Sequence, residues 1–502
     1  MRYPGMSSDH ISGDRARVPE SRFLSESECG ELAARAAKLA VGGGETGIRI
    51  ETTWTGNIRY ARNQILSSGD VRNHPTVLVT RSIRGATATV WSNQIDDAPL
   101  EAAIRRCERA LKFKAETGGP PFQEYFVKPA VAGLNESDVK KARYETLDSD
   151  IANLTIQTPE VHARPKIFYD TTYGLEADAR AAAVAPLVEH ARKAGMLAAG
   201  YIQVSAHGRA VIDTWGRALY YPYTRAQFSV TVRDPKGIGS GWAGIDWADW
   251  TRVDAMRLSE IALDKCLRSR NPVAVEPGRY TAILEPQAVH TLMVEVMGPI
   301  TFERESAENN GDNPWYLKSK QSKIGLKVFD ERVTIDADPN DMELGFPPFG
   351  LNGEVYHPAT WFKNGVLVNV PYSRSYAIQH LGINQGLPNC GAYRMHGGTT
   401  SVEEMITTTK RGIYVTRLQS TRALDPRSLL ISGYTRDGLW LIENGKISKA
   451  IKNFRFVDSP LFALNNLEQI GESVRVFSPE VPAFAPTIKV RDFSFTSLTD
   501  AI

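Results

Sequence analysis

The sequence predicts an α+β protein, with an N-terminal region of mixed helices and strands followed by a mainly antiparallel β region. Three observations carry this. Apolar residues recur at helical spacing in separate stretches, and β-branched runs bounded by turn residues lie between them. From about Arg279 onward the texture changes to strands joined by Asn-Gly hairpin signals.

Residues 1–21 are polar and read as a disordered lead. Ser25, with Glu28 three residues on, forms a capping box that opens a helix. Leu32, Ala36 and Leu39 give that helix its apolar side, and Gly42-Gly43-Gly44 stops it. Ile48–Trp54, Val77–Ile83 and Ala86–Trp91 read as strands, and Asp97-Ala98-Pro99-Leu100 starts a second helix through Leu111. Thr117-Gly118-Gly119-Pro120-Pro121 is a break. A long helix is expected over Leu175–Met196. Consecutive strands follow, Tyr201–Ser205 leading through Ala206-His207-Gly208 into Arg209–Asp213. Gln227–Arg233 alternates as a half-buried strand, and Val253–Leu267 is another helix. Hairpins are predicted at Asn364-Gly365 and Asn444-Gly445, where positive φ is needed. The resulting division is a lead at 1–21, an α+β region at 22–115, a middle α+β region at 116–225 and a mostly β domain at 226–502.

Composition narrows the function classes. At roughly 150 residues per domain, 502 residues leave room for about three domains. Lys plus Arg number 59 and Asp plus Glu 57, so the net charge of +2 lacks the basic field of a nucleic-acid binder. The basic run Arg105–Arg109 reads as a solvated helix face. The four cysteines, Cys29, Cys107, Cys266 and Cys390, form no closely spaced pair, which suits a reducing compartment. No stretch has the roughly 20 apolar residues of a membrane span, and no secretory h-region is visible. A soluble cytoplasmic protein is expected.

Few local motifs point to chemistry. Gly239-Ser240-Gly241-Trp242-Ala243-Gly244 fits GxGxxG as a string, but no βαβ unit surrounds it. A Gly-rich loop where segments pass closely is the expectation. No two of the nine histidines lie within five residues of each other, so HExxH is absent. Cys390 and His396 form only a weak candidate metal pair, and no GxSxG elbow, P-loop or SxxK is present.

Several segments, taken in order, resemble the TldD/PmbA family. These are Asn93–Asp97 before a helix, Ser240-Gly241-Trp242-Ala243-Gly244, Val333–Pro339, Phe346–Phe349 and Lys363–Leu367. Ser373–Ala377, Ser401–Ile406, Gly412–Tyr414 and Leu441–Lys446 continue the pattern, which spans about 25–495. The resemblance implies a TldD/PmbA-type fold and zinc metallopeptidase chemistry on peptides or unfolded chains. Catalytic members carry HExxxH on a helix and a late cysteine as third ligand, with the glutamate as base on a zinc-bound water. Counting from Pro286 sets that motif on Val294-Glu295-Val296-Met297-Gly298-Pro299. Both histidine positions are replaced, by Val294 and Pro299. No cysteine falls near Phe477–Val481, where the third ligand is expected.

The resemblance therefore implies a PmbA/TldE-type non-catalytic subunit without a metal or cofactor of its own. Its partner would be a zinc-bearing TldD-type catalytic subunit in a heterodimer, with a homodimer as the other possibility, and it would bind neither nucleic acid nor membrane. Glu295, the remnant of the motif glutamate, is the one weak catalytic candidate. His290 and Glu295 are five residues apart, so on a helix they point about 140° from each other, which disfavours shared ligation. His290 is expected at the surface or in packing. Val294 and Met297 are expected to make the helix end apolar, and Pro299 to stop the helix near Gly298. Two alternatives stand beside this reading. One is a stand-alone hydrolase using Glu295 with ligands from elsewhere; the other is a non-enzymatic peptide-binding maturation scaffold.

Overall fold

The structure is a computed structural model that describes residues 23–499, except 42, 73–74, 84–85, 118–164, 215, 302–310, 352, 374–375 and 384. The expected lead at 1–21, residues 118–121 of the break and Arg374-Ser375 of one family-like segment lie outside the described residues.

The N-terminal part is one seven-stranded antiparallel sheet under helices. Its strands are β1 (Glu45–Ala61), β2 (Gln64–Arg72), β3 (Thr76–Ile83), β4 (Ala86–Ser92), β5 (Leu197–Asp213), β6 (Ala218–Arg233) and β7 (Ser240–Trp247). They run in the order β4-β3-β1-β5-β6-β7, with β2 extending the sheet beside the second half of β1. Four helices cover it: α1 (Glu26–Leu39), α2 (Asp97–Thr117), α3 (Ala177–Lys193) and α4 (Ala255–Arg268). The capping box of α1 forms as expected, with Glu28 N–H donating to Ser25 Oγ at 3.3 Å and Ser25 N–H to Glu28 Oε2 at 2.7 Å. In the Arg105–Arg109 run, Arg105 bridges to Glu101 and Glu108 while Cys107 is fully buried, so the run is one exposed side of α2.

Two expectations are corrected here. The consecutive strands expected at Tyr201–Ser205 and Arg209–Asp213 are one, because β5 runs unbroken through Ala206-His207-Gly208 for 17 residues and pairs with both β1 and β6. Gly239–Gly244 is mostly strand rather than loop. Gly241 lies under α4, where an added Cβ would come within 2.1 Å of the Ala262 carbonyl oxygen. The close approach that the glycines suggested is therefore real, and it serves helix–sheet packing. Position 226 falls inside β6, and the sheets divide between Trp247 and Gly278.

The second part is a 13-stranded, mainly antiparallel sheet with two parallel pairs, Gly278–Leu284 beside Arg411–Val415 and Tyr393–Met395 beside Ala483–Leu498. Strand β8 (Gly278–Leu284) leads at once into α5 (Pro286–Met297), which packs its apolar side into the domain core. After β9 (Ile335–Ala337), β10 (Ala359–Lys363) and β11 (Val366–Leu367) form the first expected hairpin. Its turn residues Asn364 and Gly365 have φ of 50° and 76°. Strand β12 (Tyr393–Met395) and α6 (Val402–Thr407) precede β13 (Arg411–Val415), β14 (Leu418–Asp425) and β15 (Leu430–Thr435). The second hairpin joins β16 (Leu439–Glu443) to β17 (Lys446–Ala450) across Asn444-Gly445. The chain ends through β18 (Phe454–Asp458), α7 (Pro460–Asn465), β19 (Leu467–Arg475) and the 16-residue β20 (Ala483–Leu498), which pairs with β8, β12, β18 and β19. Among the described residues no helix is long and apolar enough to cross a membrane.

Candidate functional site

Alternation along the first sheet decides where its polar side chains go. In β5, Ile202, Val204, Ala206 and Ala210 are buried in the helix-covered cores. Gln203, Ser205, His207 and Arg209 therefore project from the other face. Pairing sets His207 between Thr53 and Tyr223, and Gln227 beside Asp246 of β7. This polar face is the one that meets the second domain.

Two clusters lie on it. In the first, Arg209 Nη2 donates to Glu51 Oε1 at 2.6 Å and its Nη1 to the Phe349 carbonyl at 3.0 Å. His207 has Thr53 Oγ1 3.0 Å from Nδ1, Ser205 Oγ 2.8 Å from Nε2, and its ring stacked on Tyr223 at 4.4 Å between centroids. Burial, reinforced by Arg225 and Arg209, pushes His207 down to about 3. The ring is therefore neutral at pH 7, with one nitrogen donating and the other accepting.

In the second cluster, Asp246 grips the far end of the chain. Arg475, from β19, donates Nη2 to Asp246 Oδ2 at 2.6 Å, with the two side chains 4% and 2% exposed. Arg475 Nε also donates to the Asp246 carbonyl at 3.0 Å. The Ser478 N–H donates to Asp246 Oδ1 at 2.6 Å, and Arg225 Nη1 to the Pro479 carbonyl at 2.7 Å. From α5, Gln287 holds Phe477 by a reciprocal pair at 3.1 Å each: its Nε2 donates to the Phe477 carbonyl and its Oε1 accepts the Phe477 N–H. The Phe477 ring meets Trp242 and Tyr201 edge-on at 5.7 and 6.3 Å. Residues 477–479 are thus clamped between the polar sheet face and α5, and the buried carboxylate is fully hydrogen-bonded.

On α5 the solvent-facing stripe continues through Thr291, Val294, Glu295 and Gly298. Val294 is 47% exposed and Met297 only 4%, so the two residues expected to form one apolar end part company. The reason is the pitch: Met297 faces the core with Met293 and Val296, whereas Val294 follows Gln287 and Thr291. His290, expected at the surface or in packing, is buried and hydrogen-bonded, its Nδ1 2.8 Å from Tyr393 Oη. Burial above all pushes it down to about 4. Glu295, half-buried, sits on a different side of the helix from His290.

The resemblance noted in the sequence implies zinc chemistry, and the donor set here does not fit it. Val294 and Pro299 offer no lone-pair side chain, and the Pro299 carbonyl already accepts the Asn313 amide at 3.2 Å. At the third position Phe477 is an aromatic plug and Ser478 is buried by the clamp. Among the described residues no group of three or more His, Cys, Asp and Glu is arranged to hold a metal ion. Cys390 and His396 look elsewhere: Cys390 Sγ donates to the Ala392 carbonyl at 3.6 Å, and His396 Nε2 lies 2.5 Å from Asp336 Oδ2. The hydrogen bond to that carboxylate raises His396 above the ordinary range.

With this geometry in place the comparisons become informative. Residues 277–497, which contain α5 and the clamped segment, match the family described as the PmbA/TldA metallopeptidase C-terminal domain. Its C-terminal part, residues 277–497, belongs to the TldD/PmbA family. Three solved structures share its fold. A protein described as a candidate modulator of DNA gyrase from Bacteroides thetaiotaomicron is 14% identical at a TM-score of 0.73, covering 94% of this chain and 100% of its own. TldE from Thermococcus kodakarensis is 16% identical at 0.73, covering 93% and 99%. A similarly described protein from Thermotoga maritima is 16% identical at 0.70, covering 93% and 98%. No curated protein matches the sequence significantly. The family is metallopeptidase-like, and at these identities the structural likeness establishes the fold.

Sequence reasoning passed over Asp246, Arg475, Arg225, Gln287 and Tyr393. One signal was available: the polar alternation Gln203, Ser205, His207, Arg209 marks a sheet face that no apolar layer covers. The Asp246–Arg475 pair spans 229 residues and leaves no local trace.

Proposed function

We propose that the chain is the non-catalytic subunit of a TldD/PmbA-type peptidase assembly, in which it binds peptide and completes the substrate chamber while a zinc-bearing partner cleaves. The observation that carries this is the register of α5. Val294 and Pro299 stand where catalytic members carry histidines, opposite a segment whose Phe477 and Ser478 are committed to other contacts. Glu295 remains on the exposed stripe with no histidine beside it to complete a zinc site.

The reading includes a cytoplasmic location and a heterodimer with an HExxxH-bearing subunit, across an interface of the obligate class above about 2,000 Å². A surface suited to an extended chain is the outer edge of β2. Among the described residues this strand pairs with β1 alone, and its Ile65, Leu66 and Val71 are exposed. The test is to purify the chain alone and together with an HExxxH-bearing family member. Alone, it should hold no stoichiometric zinc and cleave no unfolded peptide; together, light scattering should report a heterodimer. Near one zinc per chain, removed by a chelator along with peptidase activity, would establish the stand-alone hydrolase instead.

A further inference from the structure

A recess of about 300 Å³ lies in the second domain. Pro314, Trp315, Val328, Leu461 and Phe462 wall it, and Lys323, Ser428 and Asn465 are its polar members. The wall is tied to the end of α5, because Asn313 donates to the Pro299 carbonyl and accepts the Trp315 N–H at 2.9 Å.

The polar members differ in what they have left to offer. Ser428 gives its hydroxyl to Asp425. Asn465 donates its amide to the Val328 and Leu461 carbonyls at 2.7 and 2.9 Å. Lys323 makes no ion pair with the described residues, and the charge acting on it is another cation, Arg427. Burial first, and then Arg427, pull its ammonium below the ordinary lysine range, as expected of a cation that lacks a counter-charge. The Trp315 indole N–H also has no acceptor among the described residues, although the residue is 1% exposed.

A recess of this size is at the small end of ligand sites. A neutral ligand would leave Lys323 without a counter-charge, and a multiply charged one would desolvate charge against Leu461 and Phe462. We infer that the recess binds a short apolar carboxylate, its head on Lys323 and its body against Trp315, Val328, Leu461 and Phe462. Two sources share that chemistry: a free medium-chain fatty acid, and the C-terminal residue of a peptide ending in an apolar side chain.

The test is calorimetric titration of the full chain with octanoate, 1-octanol, and N-acetyl-Gly-Phe bearing either a free or an amidated C-terminus. At least one of the two acids should bind about tenfold tighter than its neutral counterpart. Lys323→Met should remove that preference while leaving the neutral ligand's affinity unchanged. Val328→Phe, with its circular dichroism checked against the parent, should weaken acid and neutral ligand alike. Binding of octanoate alone assigns the fatty-acid source, and binding of the peptide acid alone assigns the peptide source. Equal affinity for acid and neutral forms, no binding of either acid, or a Lys323→Met variant that keeps the preference overturns the inference.

Discussion

The two sheets solve burial differently, and the difference locates the chemistry. In the first, β1 alternates for most of its length, because helices cover one face only. In the second, the first eight residues of β20 are all buried, including Thr487 and Lys489, as in a strand covered on both faces. A sheet with one face free of helices can carry a row of polar side chains; one buried on both faces offers mainly its edges and loops. The candidate site arises where the two regimes meet, with the first sheet supplying Asp246, Arg225 and His207 and the second supplying α5 and the segment 477–479.

The largest expected effect breaks that junction. Asp246→Ala leaves the Arg475 guanidinium buried without its carboxylate and frees the Ser478 N–H. Losing one partner of a buried pair costs about 3–5 kcal/mol, to be measured by urea unfolding. The double variant Asp246→Leu/Arg475→Leu should recover part of that loss. Equal stability of Asp246→Ala and the parent would mean that the junction does not join the two sheets energetically.

Next in size is the helix-covered face. Gly241→Ala puts a methyl 2.1 Å from the Ala262 carbonyl oxygen and 2.5 Å from the Cys266 nitrogen, so α4 must lift off β7. Overpacking of this kind costs about 1–3 kcal/mol. The matched control on open strand is Gly69→Ala in β2, where nothing lies within 4 Å and the change should stay within about 0.5 kcal/mol.

The polar face should also impose a pH dependence. His207 and His290 are held neutral in the fold, down to about 3 and about 4, against about 6.5 in the unfolded chain. Between these values the unfolded chain binds more protons, so their contribution is complete above about pH 6.5 and is lost as the pH falls toward the folded values. From pH 7.5 to 5 each should cost roughly 1–2 kcal/mol. His207→Gln and His290→Gln should each flatten the unfolding free energy over that range by the same amount; variants as pH-sensitive as the parent would contradict the assignment.

What could be read from the sequence was whatever has a local cause. Ser25 with Glu28 announced α1, and Asn364-Gly365 and Asn444-Gly445 announced two hairpins, because caps and tight turns are set by neighbouring residues. Strand β2 escaped notice: Gln64–Arg72 is almost wholly exposed and carries no apolar alternation. The two strands expected on either side of Ala206–Gly208 are one for the converse reason, since partners 154 and 16 residues away along the chain hold His207 extended. Of the site, the sequence showed the polar alternation along β5 and, through the family resemblance, Val294 and Pro299 at the expected histidine positions. The groups that build it, Asp246 and Arg475 above all, meet only in the folded chain.

The smallest expected effect sharpens the comparison between the stripe on α5 and the clamp beside it. Val294 is half-exposed, so Val294→His should change stability by no more than about 0.5 kcal/mol. Pro299 follows the last α-helical turn, and its contact to Asn313 is made by its carbonyl, which histidine retains. The double variant should therefore fold. It should nonetheless hold no zinc on equilibrium dialysis and show no peptidase activity, because two histidines beside Glu295 still lack the third donor near Ser478. Adding Ser478→Cys supplies that donor while keeping the backbone bond from residue 478 to Asp246. Zinc retained by the triple variant and not by the double would place the decisive loss at the clamp. Zinc retained by the double variant would instead mean that α5 alone can assemble the site, and that the clamped segment has another purpose.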